Sequence, residues 1–317
     1  MNKITTPPQK HSPNIAFALL VALALFLGAC SGTRQKPVRS LYYWSTTFVN
    51  DSLKRHFYKA HNVQRLYIRY FDVVKKPNQE PLPNATITFN DSVPQGVEVI
   101  PTVFITNECM RQPPQFAEKL WQRIRQMNET HGVKNVKEIQ IDCDWSKQTQ
   151  EVYFQFLRQL HQLLAKAGLK LSVTIRLHQL GMQAPPADKG TLILYNTGDF
   201  RQLSNQKPIL DPEVVRQYIG GLRSYSLPLN AAYPLFRVRA LFRSGKFVGI
   251  IHTKDEYPVL PTDSIAVRET TLADLQSVQQ LINKHRPDVH NEIILYDINN
   301  RNLTKYSSND YEKIYNP

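Results

Sequence analysis

Metal-ligand spacing is missing from this chain. Its 317 residues hold three cysteines, Cys30, Cys109 and Cys143, and no cysteine or histidine cluster has the spacing of a zinc site, so neither a structural metal nor a cofactor is expected. The N-terminal apolar run, Ile15–Leu27, has 13 residues, short of the roughly 20 that a helix needs to span a bilayer. The first strand-like segment is followed by "YYWSTTFVND", which has no glycine-rich phosphate loop, against a doubly wound nucleotide-binding sheet. No repeat and no low-complexity segment follows residue 39. Acidic residues are in deficit, 26 against 39 lysines and arginines, for a formal charge of +13. The basic residues are scattered, with no block beyond Arg34–Arg39, so nucleic acid is not the expected partner. Outside a cytoplasm, anionic lipid headgroups or acidic glycans suit such a surface, and so does a plain solubility role.

What is present begins with an address. Lys3 and Lys10 precede the apolar run, which ends in Leu27-Gly28-Ala29-Cys30. Charge, run length and cysteine placement together resemble a bacterial lipobox, in which the cysteine is lipidated and becomes the first residue. Residues 1–29 therefore read as a lipoprotein signal peptide, 30–39 as a polar tether, and 40–317 as the folded domain. Removing Lys3 and Lys10 leaves +11 on the mature chain. Ser31 follows the lipidated cysteine where aspartate is linked with inner-membrane retention in some bacteria, so the expectation is the cell envelope, at the outer membrane.

Beyond the tether, eight strand-like runs recur: Leu41–Trp44, Arg65–Val74, Val97–Thr106, Glu138–Trp145, Lys170–Gln179, Thr191–Thr197, Leu227–Phe236 and Asn291–Ile298. Phe116, Leu120, Ile124 and Met127 share one helical face between the third and fourth runs. Val152, Phe156, Leu160, Leu163 and Ala167 do so after the fourth, with Gly168 as the stop. Asp211-Pro212 opens a further helix, and Thr271 with Asp274 forms a capping box ahead of Leu275, Val278 and Ile282. Strands alternating with crossovers predict an α/β protein of the (β/α)8 barrel type. Two connectors, Lys75–Gly96 and Leu180–Gly190, show no helix, and Arg237–Gly249 reads as a β-hairpin with a Ser-Gly turn inserted after the seventh strand.

In such a barrel, side chains facing the helices must be apolar, while inward ones near the C-terminal strand ends can be polar and form the site. "EIQIDCDWSK" fits: Ile139, Ile141 and Cys143 face out, and Gln140, Asp142 and Asp144 point in. The fifth run repeats the pattern with Ser172, Thr174, Arg176 and His178 inward. Adjacent strands then place Arg176 and His178 beside Asp142 and Asp144, and an arginine favours an ionised carboxylate. A buried ion-pair plug would use the same residues. Other strand ends add Asp72, Glu108, Tyr195, Asn196, Tyr233 and Asp297, while Tyr43 and Trp44 suggest an aromatic platform for a sugar ring. Cys143, on the apolar face, reads as a small buried hydrophobe, with pairing to Cys109 left open.

These residues resemble glycoside hydrolase family 18, the chitinases and their relatives, whose fourth barrel strand carries D-x-x-D-x-D-x-E. "DCDWS" is similar to the end of that motif, with Asp142 and Asp144 at its last two aspartates and Trp145 at the aromatic spacer. Tyr195-Asn196 is similar to a Tyr-Asp pair in that family, and the hairpin stands where many members carry an insertion. The chain also resembles a group of bacterial secreted barrel proteins classed as a domain of unknown function. The resemblance implies a glycan as partner, an aspartate that orients an attacking N-acetyl group, and a glutamate acid. Ser146 occupies the glutamate position and cannot serve as that acid, so it is read as the cap of the next helix. Glu138 is one residue out of place for the first aspartate. Three readings stay open: a hydrolase pairing Asp144 with Glu108 or Asp297, a glycan-binding lipoprotein without catalysis, and an envelope scaffold for protein partners.

Overall fold

The computed structural model describes residues 36–317 apart from 78, 113, 114 and 253–255. The leader 1–29, Cys30 and the tether up to residue 35 lie outside the described residues. Eight strands form the frame: β1 (Val38–Tyr43), β2 (Arg65–Val74), β3 (Glu98–Ile105), β4 (Glu138–Asp142), β5 (Lys170–Arg176), β6 (Lys189–Ile193), β7 (Leu229–Pro234) and β8 (Glu292–Tyr296). Each pairs in parallel with the next, and β8 returns to β1 with Val38 opposite Glu292. The sheet is a closed (β/α)8 barrel, and closure leaves no parallel edge unpaired. Among the described residues no helix is long and apolar enough to cross a membrane.

The helices run from α1 (Ser52–Ala60), α2 (Ala117–Thr130) and α3 (Gln150–Lys166) through α4 (Pro212–Tyr218) and α5 (Leu272–His285) to α6 (Asn300–Leu303) and α7 (Ser308–Tyr315). Local chemistry sets their starts. The Asp211 carboxylate accepts from the Glu213 amide, with Pro212 in the first turn of α4, and Thr271 accepts from the Asp274 amide at α5. Gly168, after α3, adopts φ +71°, a conformation that strains any residue carrying a Cβ. Among the described residues neither connector contains an α-helix. The first carries short strands at Leu82–Asn84 and Thr88–Phe89, and the second opens with a 3₁₀ turn at Leu177–Gly181. The hairpin is present as Arg237–Arg243 and Lys246–Ile250 about Ser244 and Gly245, both with positive φ. A third strand, Asp263–Glu269, completes a small antiparallel sheet with Arg237 opposite Glu269.

Burial divides into two apolar clusters. The larger lies between sheet and helices and includes Ile139, Ile141, Cys143 and Trp145 from around β4. The smaller fills the lumen with Tyr42, Tyr67, Ile100, Ile193, Ala232 and Ile294. Polar side chains cross that lumen: the Tyr42 hydroxyl donates to Gln140 at 2.5 Å, and Gln140 donates to Thr191 at 3.0 Å. An ion network seals the N-terminal end. Glu292 accepts from Ser40, Tyr67 and Asn230 and pairs with Arg65 at 2.8 Å and Lys189 at 3.2 Å, while Lys189 also meets Glu138 at 2.9 Å. Burial works to raise the Glu292 carboxyl, but Lys189 and Arg65 hold it below its ordinary value. Burial raises the Glu138 carboxyl despite Lys189. This network occupies the N-terminal end of the lumen, opposite the C-terminal strand ends.

Candidate functional site

The mouth is built from strand ends, and parity along each strand decides which side chains reach it. On β4 the inward positions are Gln140 and Asp142, and the chain then carries Asp144 to the rim. Thr174 and Arg176 of β5 both donate to the same Asp142 oxygen, at 2.6 and 2.9 Å. The Arg176 Nε also lies 4.0 Å from an Asp144 oxygen. Burial opposes the Arg176 charge, but Asp142 outweighs it and the guanidinium is held above its ordinary value. The two aspartates differ in access: the Asp142 side chain is 10% exposed, that of Asp144 62%. One acid is fixed by the frame and the other is free to meet a ligand.

A cleft of about 260 Å³ lies beside Asp144 and Arg176, lined also by His178, Tyr195, Asn196 and Tyr218 among others. His178 sits beyond the end of β5 in the 3₁₀ turn, exposed at the rim. Tyr195 stacks on Tyr296 from β8, with ring centroids 4.6 Å apart, and Trp44 meets Tyr296 edge-on at 5.6 Å. A bulge interrupts β2: Tyr70 and Phe71 both pack outward and the register shifts between Arg69 and Phe71. Arg69 and Asp72 therefore both turn to the mouth, where Arg69 holds the Asp72 carboxylate with two nitrogens and lies 5.7 Å from the Trp44 ring centre.

Asp297 follows β8 and lines a second cleft of about 670 Å³ that shares Asn196 with the first. Its carboxylate accepts from Asn302 at 2.7 Å and Asn299 at 3.4 Å, and burial pushes its pKa up despite those amides.

Several expected site residues stand elsewhere. Tyr43 faces outward, its hydroxyl donating to the Thr47 carbonyl and accepting from the Val49 amide, because alternation cannot send Tyr42, Tyr43 and Trp44 all inward. Tyr233 also lies in the outer layer, hydrogen-bonded to His290 at 2.6 Å. Glu108 is exposed in the 3₁₀ turn after β3 and does not line the cleft with Asp144. Ser146 is not the cap of α3. That helix starts at Gln150, and the Ser146 amide instead donates to Thr149 within the preceding turn. Cys109 and Cys143 are buried free thiols. Among the described residues no group of His, Cys, Asp and Glu could hold a metal ion.

Other contributors went unnoticed in the sequence. Tyr296 precedes Asp297, and its aromatic character at a strand end is its sequence signal. Arg237, Arg239 and Arg301 line the second cleft. The "RVR" that opens the hairpin is the signal for the first two, and Arg301 has none.

Fold and mouth define a closed eight-stranded parallel β/α barrel with a polar cleft at the C-terminal strand ends. No protein-family model and no curated protein matches the sequence. Solved structures do. The Bacillus cereus spore cortex-lytic enzyme SleL aligns over 88% of this chain and 74% of its own, at 15% identity and TM-score 0.57. A chitinase from Chromobacterium violaceum aligns over 88% and 98%, at 11% identity and TM-score 0.55. The Ostrinia furnacalis Group IV chitinase, in complex with allosamidin, aligns over 88% and 98% at 12% identity and TM-score 0.54. At such identities the likeness establishes the shared barrel.

Proposed function

We propose that this chain is a lipid-anchored envelope protein whose barrel mouth binds a glycan, with Asp142 and Asp144 at the centre of the site. The observation that carries this reading is the contrast within the pair. Asp142 is fixed by Thr174 and Arg176, and Asp144 stands exposed in a cleft lined by Tyr195, whose ring stacks on Tyr296. Carboxylates for hydroxyl donors beside aromatic faces for sugar rings suit a saccharide. Similarly folded proteins include a cortex-lytic enzyme and chitinases, which supports the same class of ligand.

Hydrolysis is the second reading, and Asp297 favours it. Cleavage needs a proton donor, and neither Ser146 nor the salt-bridged Asp142 supplies one. Asp297 is a mouth carboxyl whose pKa is raised, and its cleft adjoins that of Asp144 through Asn196. Binding and reducing-end release on a panel of oligosaccharides test both readings. Release that disappears in Asp144→Asn and Asp297→Asn supports catalysis. Binding that loses affinity in Asp144→Asn, with no release from the wild type, supports recognition alone. Absence of binding and release across the panel refutes the glycan site. The anchor is tested separately: incorporation of labelled palmitate and outer-membrane fractionation should both be lost in Cys30→Ala.

A further inference from the structure

The larger cleft beside Asp297 is rich in one kind of charge. Arg237 and Arg239 alternate on the first hairpin strand, with Val238 and Ala240 between and beyond them packed into the core, so one face of that strand presents both guanidinium groups. Arg301, in α6 just after β8, faces the same cleft, and His252 closes another side. Arginines elsewhere on this surface have acids: Arg243 meets Asp263 at 2.9 Å and Arg201 meets Asp199 at 2.9 Å. Arg237, Arg239 and Arg301 have no ion pair with any described residue. Among the described residues the one acid lining the cleft, Asp297, is occupied by the Asn302 and Asn299 amides.

The positive charge extends behind the wall. The Lys305 ammonium is buried with no hydrogen-bond acceptor. Burial is the main cause that lowers its pKa to about 8; Glu269 pulls it upward and the like charge of Arg237 pushes it further down. Three exposed or half-exposed guanidinium groups thus line one cleft beside a buried ammonium, and planar arginine forks suit carboxylate and phosphate oxygens. Phe200, Phe236 and Tyr296 supply the apolar faces between them.

We propose that the glycan bound at this mouth is anionic, and that Arg237, Arg239 and Arg301 bind its carboxylate or phosphate group while the adjoining sugar lies against Asp144. This rests on the glycan reading and adds the substrate class. Asn196, common to both clefts, is the bridge between the two subsites.

The test uses the full chain in neutral detergent and calorimetric titration with four oligosaccharides of one length: neutral, carboxylate-bearing, its methyl ester, and phosphate-bearing. The carboxylate or phosphate form should bind about tenfold more tightly than the ester or neutral form at low salt. The preference should shrink at high salt and vanish in the triple variant Arg237→Gln, Arg239→Gln, Arg301→Gln. The single Arg301→Gln should lose part of it, which keeps the test open should the triple variant fail to fold. The two anionic arms separate a carboxylate source from a phosphate source. Shielding of the three arginines from phenylglyoxal by glucuronate or inorganic phosphate, mapped by peptide mass, is read alongside. Equal affinity for acid, phosphate, ester and neutral forms overturns the anion assignment and leaves the glycan site standing. If no oligosaccharide binds, the shielding decides: protection by either small anion sustains the anion site and refutes the glycan reading, and no protection refutes both.

Discussion

Replacing Lys305 with methionine should make this protein more stable, and the gain should depend on pH in a defined direction. The Lys305 ammonium is buried without a hydrogen-bond acceptor and titrates near 8 instead of 10.5. At about 1.4 kcal/mol per pH unit, holding that charge inside the folded chain costs roughly 3 kcal/mol at neutral pH. Methionine has a similar length and no charge, so Lys305→Met should gain about 3 kcal/mol at pH 7. The folded-state pKa lies below the unfolded one, so the unfolded chain binds the extra proton between the two values. Wild-type stability therefore rises with pH from about 8 to 10.5, and the penalty is complete below 8. The variant's advantage should be largest below pH 8 and fade toward pH 10.5. Urea unfolding of both proteins across that range, in a buffer free of phosphate, measures it. An advantage that stays constant with pH would refute the reasoning, since the gain would then come from packing and not from the buried charge.

Arg176→Met removes the guanidinium from a nearly buried Asp142 and should destabilise the barrel by about 3–5 kcal/mol, read by chemical denaturation; a change below 1 kcal/mol would mean Thr174 alone suffices. Asp144→Asn should leave stability within about 0.5 kcal/mol because the side chain is mostly exposed, while glycan affinity or turnover falls; equal loss of both would make Asp144 a structural residue. At the barrel floor, Glu292 has a lowered pKa, so its contribution is present above the ordinary carboxylate value and is lost as pH falls through the folded one. Glu292→Gln should therefore flatten the acid limb of the stability profile, and an unchanged limb would exclude Glu292 as its source.

Local chemistry along the chain carried much of the fold. Period-two runs separated by amphipathic segments announce a β/α barrel, because an outward strand face must be apolar to meet helices. Asp211-Pro212, Thr271 and Ser244-Gly245 mark their cap and turn positions through hydrogen bonds and φ preferences that involve only near neighbours. The polar alternation of β4 and β5 was equally readable: Asp142, Thr174 and Arg176 meet because adjacent parallel strands of like pattern leave them no other face.

Closure of the barrel decided the rest. Where both faces of a strand are apolar or aromatic, alternation does not say which face is inside. Tyr42 entered the lumen while Tyr43 and Tyr233 packed outward. The β2 bulge, which turns both Arg69 and Asp72 to the mouth, exists only in the pairing with β3. The strand Asp263–Glu269 and the cleft that gathers Arg237, Arg239 and Arg301 also depend on residues distant in the chain. Sequence alone determined the eight barrel strands, the longer amphipathic helices and the acidic pair. Which acid is held and which is free, and which charges converge, follow from strand register around a closed sheet, a property no single segment contains.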